Sequence, residues 1–251
     1  MNAAHIEGRS VNAGDGWKWI TQGFALFKSN PGMWIVLFII YLIIGVILSK
    51  VPMIGPIILN ILAPVFVAGF MSGCRDMEKG EDLEINHLFY GFKHHTSQLI
   101  TVGGLYFTGI IIIVGIMFAG VDHATLQALL DGQKLSEQQA EVMLQNGFLL
   151  YMLVGAALLM PLMMAYWFAP LLVAFHGLKP VEAFKVSFKA SLRNIMPFFV
   201  YSLIAMVLLI VAAIPFGLGM LVMIPTMMAS LYTSYKDIFP MPEIVEEPEE
   251  I

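Results

Sequence analysis

The chain has 251 residues, of which 59% are hydrophobic and only 12% charged, about half the charged share of a soluble protein, so an ordinary water-soluble domain is excluded. The formal net charge is −5, but five of the eighteen carboxylates (Glu243, Glu246, Glu247, Glu249 and Glu250) fall in the last nine residues. The remainder is near neutral and carries no basic stripe of the kind that binds nucleic acid.

The first thirty residues include Arg9, Asp15, Lys18, Gln22 and Lys28 and lack the apolar core and cleavage site of a secretory signal, so the first apolar run is expected to remain as an anchor. Ahead of it, Trp17, Ile20, Phe24 and Phe27 fall on one face of a helix. Proline, glycine and charged residues then divide the apolar runs into six predicted membrane spans, about 33–49, 53–74, 98–118, 147–175, 197–215 and 217–234. Ser49 to Pro56 separates the first two with two prolines and a glycine, and Ile214-Pro215-Phe216-Gly217 the last two. Both connections are tight, which predicts helical hairpins.

Two of these segments are short, about 24 Å as ideal helices. A first pair that turned back inside the membrane would bury Lys50 at a cost of about 2.5–3.5 kcal/mol. Six full spans are therefore expected.

Between spans two and three, Asp76, Glu78, Glu81, Asp82 and Glu84 form a solvated acidic loop. The segment Leu88 to His95 that follows is aromatic and basic. Its His94-His95 pair sits about 100° apart on a helix, not the same-face spacing of a metal motif, and reads as interfacial polarity. In the connection Ala119 to Asn146, Ser136 and Gln139 are placed to cap a short helix reciprocally. Pro161 and Pro170 shape the long fourth span. Before span five, Val181, Phe184, Phe188, Ser191 and Leu192 recur at helical spacing, while Lys185, Lys189 and Arg193 are stacked four apart. This predicts an interfacial amphipathic helix with cations at anionic headgroups.

The segments 23–31, 88–95 and 184–194 thus form a threefold pattern. The expected fold is all-α: a polytopic membrane protein of six transmembrane helices, as three hairpins each preceded by an interfacial amphipathic helix, in one membrane domain over 1–239. Residues 240–251, with three prolines and five glutamates, are expected to be disordered.

Cations near span ends mark the cytoplasmic side. With six spans and the N-terminus inside, eleven cations face the cytoplasm and only Lys50 and Lys134 face out. The expected location is the cell inner membrane, multi-pass, with both termini cytoplasmic.

No Asp, Glu, Lys, Arg or His interrupts the span interiors, which argues against a proton-coupled pump or voltage sensor. Nucleotide-binding, zinc-protease and serine-hydrolase motifs are absent, so no enzyme, cofactor or metal site is expected. The Met223-x-x-x-Met227 step could in principle suit Cu(I), but Met is also a common filler of apolar interfaces, and packing is the preferred reading. Packing is likewise expected for Cys74, and for Gly69, Gly73, Gly103, Gly104 and Gly109, whose small surfaces suit helix contact within the monomer or in a homo-oligomer.

The run Gly14 to Lys28, followed by Asn30-Pro31 and Trp34, resembles an uncharacterised family of bacterial six-helix inner-membrane proteins. Lys179-Pro180-Val181-Glu182-Ala183-Phe184, with Ser187, Ala190 and Asn194, is similar to the segment before a late hairpin in the wider YciC-like group. The resemblance implies the fold and no activity.

The function expected is a non-enzymatic membrane scaffold, or a partner- or lipid-binding protein, with Lys185, Lys189, Arg193, Lys28 and Lys93 as candidate contacts to anionic lipid or to a membrane-protein partner. The alternative is a transporter or channel for an apolar or amphiphilic solute, for which Asn60, Tyr106, Tyr166, Ser202 and Thr226 are the polar interior positions.

Overall fold

The computed structural model describes residues 6–240, and all the regular structure there is helical. The acidic tail over 241–251 lies outside the described residues. In chain order the helices are α1 (Asp15–Ser29), α2 (Pro31–Ser49), α3 (Ile54–Glu78), α4 (Ile85–Leu88), α5 (Tyr90–Lys93), α6 (Thr96–Met117), α7 (His123–Leu130), α8 (Glu137–Gln145), α9 (Phe148–Trp167), α10 (Ala169–His176), α11 (Pro180–Arg193), α12 (Ile195–Ala213) and α13 (Met220–Ile238). Five are long and apolar enough to cross a membrane: α2, α3, α6, the run of α9 and α10 taken together, and α12. At 1.5 Å per residue the 19-residue α2 and α12 are about 28 Å long, close to a hydrocarbon core of about 30 Å.

Local chemistry sets several boundaries. Pro31 opens α2, and the Asn30 side chain accepts from the Met33 N–H at 3.3 Å. The capping box at α8 is formed as expected, with the Gln139 N–H donating to Ser136 Oγ at 3.2 Å and the Ser136 N–H to Gln139 Oε1 at 3.0 Å. Asp122 caps α7 through the Thr125 N–H at 3.0 Å, a start that the sequence reading passed over.

The helices bury their large side chains mainly at one end. Trp19, Trp34, Phe70, Cys74, Phe168, Tyr232 and Tyr235 are buried there. Toward the other end Ile47, Ile112, Leu153 and Ile210 are exposed; such a surface faces hydrocarbon, since a soluble monomer rarely leaves so large an apolar area to water.

Lipid tails give helices no hydrophobic reason to associate, so close backbone approach has to supply the packing. Gly103 of α6 lies against the Ile61 backbone, and a Cβ on Gly69 of α3 would stand 2.6 Å from the His87 and Leu88 carbonyls. This contact explains a departure from expectation. Residues 88–95 do not make one amphipathic helix; α4 and α5 are two short turns pressed flat against α3, with Gly91 on the Val65 backbone.

α1 differs from its expected form as well. Its buried stripe is Gly16, Trp19, Ile20, Gly23 and Phe27, leaving Trp17 and Phe24 exposed. A Cβ on Gly23 would meet the Ser230 nitrogen at 2.6 Å and the Thr226 carbonyl at 2.7 Å, and Gly16 abuts Pro197 and Tyr201 of α12. α1 is wedged onto α12 and α13, not laid loosely on the membrane surface.

Candidate functional site

The packed end is held by polar groups inserted into helix backbones. Pro170 has no N–H to donate, and the long fourth apolar run breaks at Phe168, between α9 and α10. There the Phe168 N–H donates to Ser187 Oγ at 3.0 Å, and the Ser187 hydroxyl donates onward to the Met164 carbonyl at 2.8 Å. Ser191 donates to the same carbonyl at 3.2 Å. A side chain of α11 thus completes the ladder that α9 cannot close, which fixes both the kink and the seat of α11. Beyond the kink every residue of α10 from Ala169 to Phe175 is buried. Phe168 and Phe175 pack on Tyr235 of α13 with ring centroids 5.8 and 5.9 Å apart.

A second set of bonds straps the segment before α1 to the far end of the chain. The Val11 N–H donates to Asn194 Oδ1 at 2.9 Å, and Asn194 Nδ2 donates to the Arg9 carbonyl at 3.0 Å. Asp237 accepts from Arg9 at 2.5 Å and from the Trp19 indole N–H at 2.9 Å. Glu78, at the end of α3, accepts from the Tyr232 hydroxyl at 2.9 Å and from Lys236 at 2.8 Å. Residues 9 and 237, near the two ends of the described chain, therefore lie on one side of the molecule.

Above this layer α9 and α12 barely touch. Recesses of 360 and 620 Å³ lie around Trp167 and Tyr201, bordered by Leu209 and Met227. Of the five polar interior positions, Tyr166 and Ser202 line recesses here, and Tyr106 stacks on Tyr166 with centroids 4.1 Å apart. Thr226 instead donates to the Val222 carbonyl of its own helix, and Asn60 to the Pro56 carbonyl. No common polar path results. Met227 is a lining residue whose sulfur takes the Tyr201 hydroxyl at 3.5 Å. Among the described residues no three His, Cys, Asp or Glu side chains converge as a metal site.

Over 215 residues, 84% of this chain and 78% of the relative, the sequence is 34% identical to a probable inner membrane protein of Burkholderia thailandensis. The chain belongs to that family. No family model and no solved structure matches it. With the apolar helices, the relationship makes this a multi-pass inner-membrane protein.

In this inner-membrane protein six cations are paired, and the rest, Lys50, Lys134 and Lys179 among them, have no carboxylate partner among the described residues. Arg9, Lys18, Arg75, Lys79, Arg193 and Lys236 each face a carboxylate within 4 Å. Lys28, Lys93, Lys185 and Lys189 have no such partner among the described residues and are exposed. Four of the five residues singled out from sequence are thus unpaired. The fifth, Arg193, is engaged by Glu7 at 3.3 Å and by the Gly8 carbonyl at 3.1 Å.

The five do not form one cluster: Lys189 and Arg193 border a small cleft with Glu7 and Gly8, while Lys28 ends α1 and Lys93 ends α5. On α11 the buried face is the small-residue stripe Ala183, Ser187, Ala190 and Ser191. Ser191, expected on the apolar face, belongs to that stripe. Val181 and Leu192 are exposed and Phe184 and Phe188 half-buried, forming a separate apolar flank with Lys185 along its edge by helical spacing.

Proposed function

We propose that this is a non-enzymatic lipid-binding protein of the inner membrane, with an even number of crossings and both ends in the cytoplasm, which gathers anionic lipid along α11. The observation that carries this reading is the coincidence on α11 of two unpaired lysines with an apolar flank. Ammonium groups within reach of an anionic surface attract it by about 1 kcal/mol each, and the flank seats the helix at the acyl boundary. The even number of crossings is supported by the bond between Arg9 and Asp237, and the direction by the excess of cations at the packed end.

The likeness to the YciC-like group extends this reading: Ser187, Ala190 and Asn194, which carry it, are all buried, and the two polar ones make the bonds that seat α11. The carrier alternative draws on the recesses around Trp167, whose apolar walls suit hydrocarbon.

The test is native mass spectrometry of protein released from vesicles of mixed phosphatidylglycerol and phosphatidylcholine. Wild type is expected to retain phosphatidylglycerol preferentially, and the K185Q/K189Q double variant to lose that preference. Equal retention of both lipids by wild type would refute the reading.

A further inference from the structure

The turn between α12 and α13 is unlike the other two connections at the loosely packed end. From Leu203 to Pro225 no side chain is polar, although the chain runs out along α12, turns and comes back along α13. The turn after α2 carries Ser49 and Lys50, and residues 118–147 include Asp122, Asp131, Lys134 and Glu137; those two have the composition of chain that meets water.

Tyr201 and Ser230 share a hydrogen bond of 2.7 Å, so they lie at one level of the pair. From there the helices run about 15–18 Å to the turn, and from Lys236 to Met220 about 24 Å, against a hydrocarbon core of about 30 Å; α12 alone has the length to cross, but it is tied to the shorter apolar stretch of α13. α13, as long as α2 and α12 but more polar, is not among the helices apolar enough to cross. Its second half, from Ser230 to Asp237, is committed to the packed end.

The turn closes most of its backbone bonds on itself, as the turn after α2 also does, so its apolar composition is what sets it apart. The Ile214 N–H donates to Val211, Gly217 to Ala213, Leu218 to Pro215 and Met220 to Gly217, at 2.9–3.2 Å, and Pro215 has no N–H. In hydrocarbon, backbone groups must be satisfied within the segment in this way. Phe216 stands wholly exposed at the tip on a left-handed backbone, φ 52°, and Met53 shares the positive φ at the α2–α3 turn, 63°; the conformation is unusual for an aromatic residue. Ile214 and Leu218 flank it, both exposed.

We propose that α12 and α13 form a re-entrant wedge whose tip, led by Phe216, lies among lipid acyl chains and does not reach the far surface. Its partner is the hydrocarbon of the far leaflet. The crossings are then α2, α3, α6 and the run of α9 and α10, still an even number, and the wedge displaces more lipid area in the leaflet it enters than in the one where it stops.

The test uses the full protein in a C74A background, Cys74 being its single, buried cysteine. F216C and, separately, L218C are treated with a membrane-impermeant maleimide in intact cells and in inverted vesicles, with S136C as the exposed control. The expected result is labelling of S136C from one side and loss of labelling at both tip positions from either side. A nitroxide at residue 216 should be relaxed by oxygen and shielded from an aqueous nickel complex. Labelling of F216C and L218C from the same side as S136C would overturn the wedge. S136C labelled from the cytoplasmic side alone would overturn the proposed orientation and leave the wedge standing.

Discussion

The Ser187 hydroxyl occupies the place between the Phe168 N–H and the Met164 carbonyl where a regular helix would have closed on itself. One side chain therefore holds the kink ahead of α10 and also fastens α11, the helix that carries the unpaired lysines. S187A leaves a buried N–H and a carbonyl without this link, which costs about 1–3 kcal/mol. S191A removes only a second donor to the same carbonyl and is expected to cost less, about 1 kcal/mol or below. Unfolding in mixed micelles measures both, and a neutral S187A would show that the kink closes without the hydroxyl.

Two adjacent glycines of α6 predict opposite outcomes. A Cβ at Gly103 would run into the Ile61 backbone, whereas one at Gly104 meets nothing within 4 Å. G103A is expected to destabilise by about 1–3 kcal/mol, because backbone cannot move aside as a side chain can. G104A should be neutral or stabilising by up to about 1 kcal/mol through helix propensity. The difference between their midpoints is the quantity to measure.

Asn194 ties the segment before α1 to α11 through the Val11 N–H and the Arg9 carbonyl. N194A is expected to free that segment, so trypsin should cut after Arg9 faster than in wild type while the apolar helices stay intact. Unchanged cleavage would mean that the bonds of Arg9 to Asp237 and Ile238 and of Arg193 to Gly8 hold the strap without Asn194.

Much of the architecture is legible in the sequence where a residue acts on its own neighbours. Ser136 with Gln139 starts α8, because caps are local. Pro170 marks the fourth run as irregular, though the break at Phe168 depends on Ser187, nineteen residues on. The face that α1 buries is not legible in its apolar pattern: Gly16 and Gly23 belong to the stripe, and what admits them is the backbone of α12 and α13. For the same reason α4 and α5 replace the continuous helix expected over 88–95, since Gly69 and Gly91 let that segment lie flat on α3. Of the candidate lipid contacts drawn from charge and spacing, Lys28, Lys93, Lys185 and Lys189 are left unpaired by the fold, which alone shows Glu7 opposite Arg193.

The lysines of α11 should also show the salt dependence of surface charges. Removing Lys185 and Lys189 together is expected to weaken association with anionic lipid by about 2 kcal/mol at low ionic strength, taking about 1 kcal/mol for each. The effect should shrink as salt shortens the Debye length to about 8 Å near 0.15 M and below that at higher salt. K236Q, which breaks the pair with Glu78, should leave lipid preference unchanged.

The most direct measurement of lipid binding is electron paramagnetic resonance of spin-labelled phosphatidylglycerol and phosphatidylcholine around the reconstituted protein, comparing wild type with the K28Q/K93Q/K185Q/K189Q variant. The motionally restricted fraction of phosphatidylglycerol should exceed that of phosphatidylcholine in wild type and fall to the same value in the variant. Equal fractions in wild type, or a preference that survives the four substitutions, would contradict lipid binding by these four lysines.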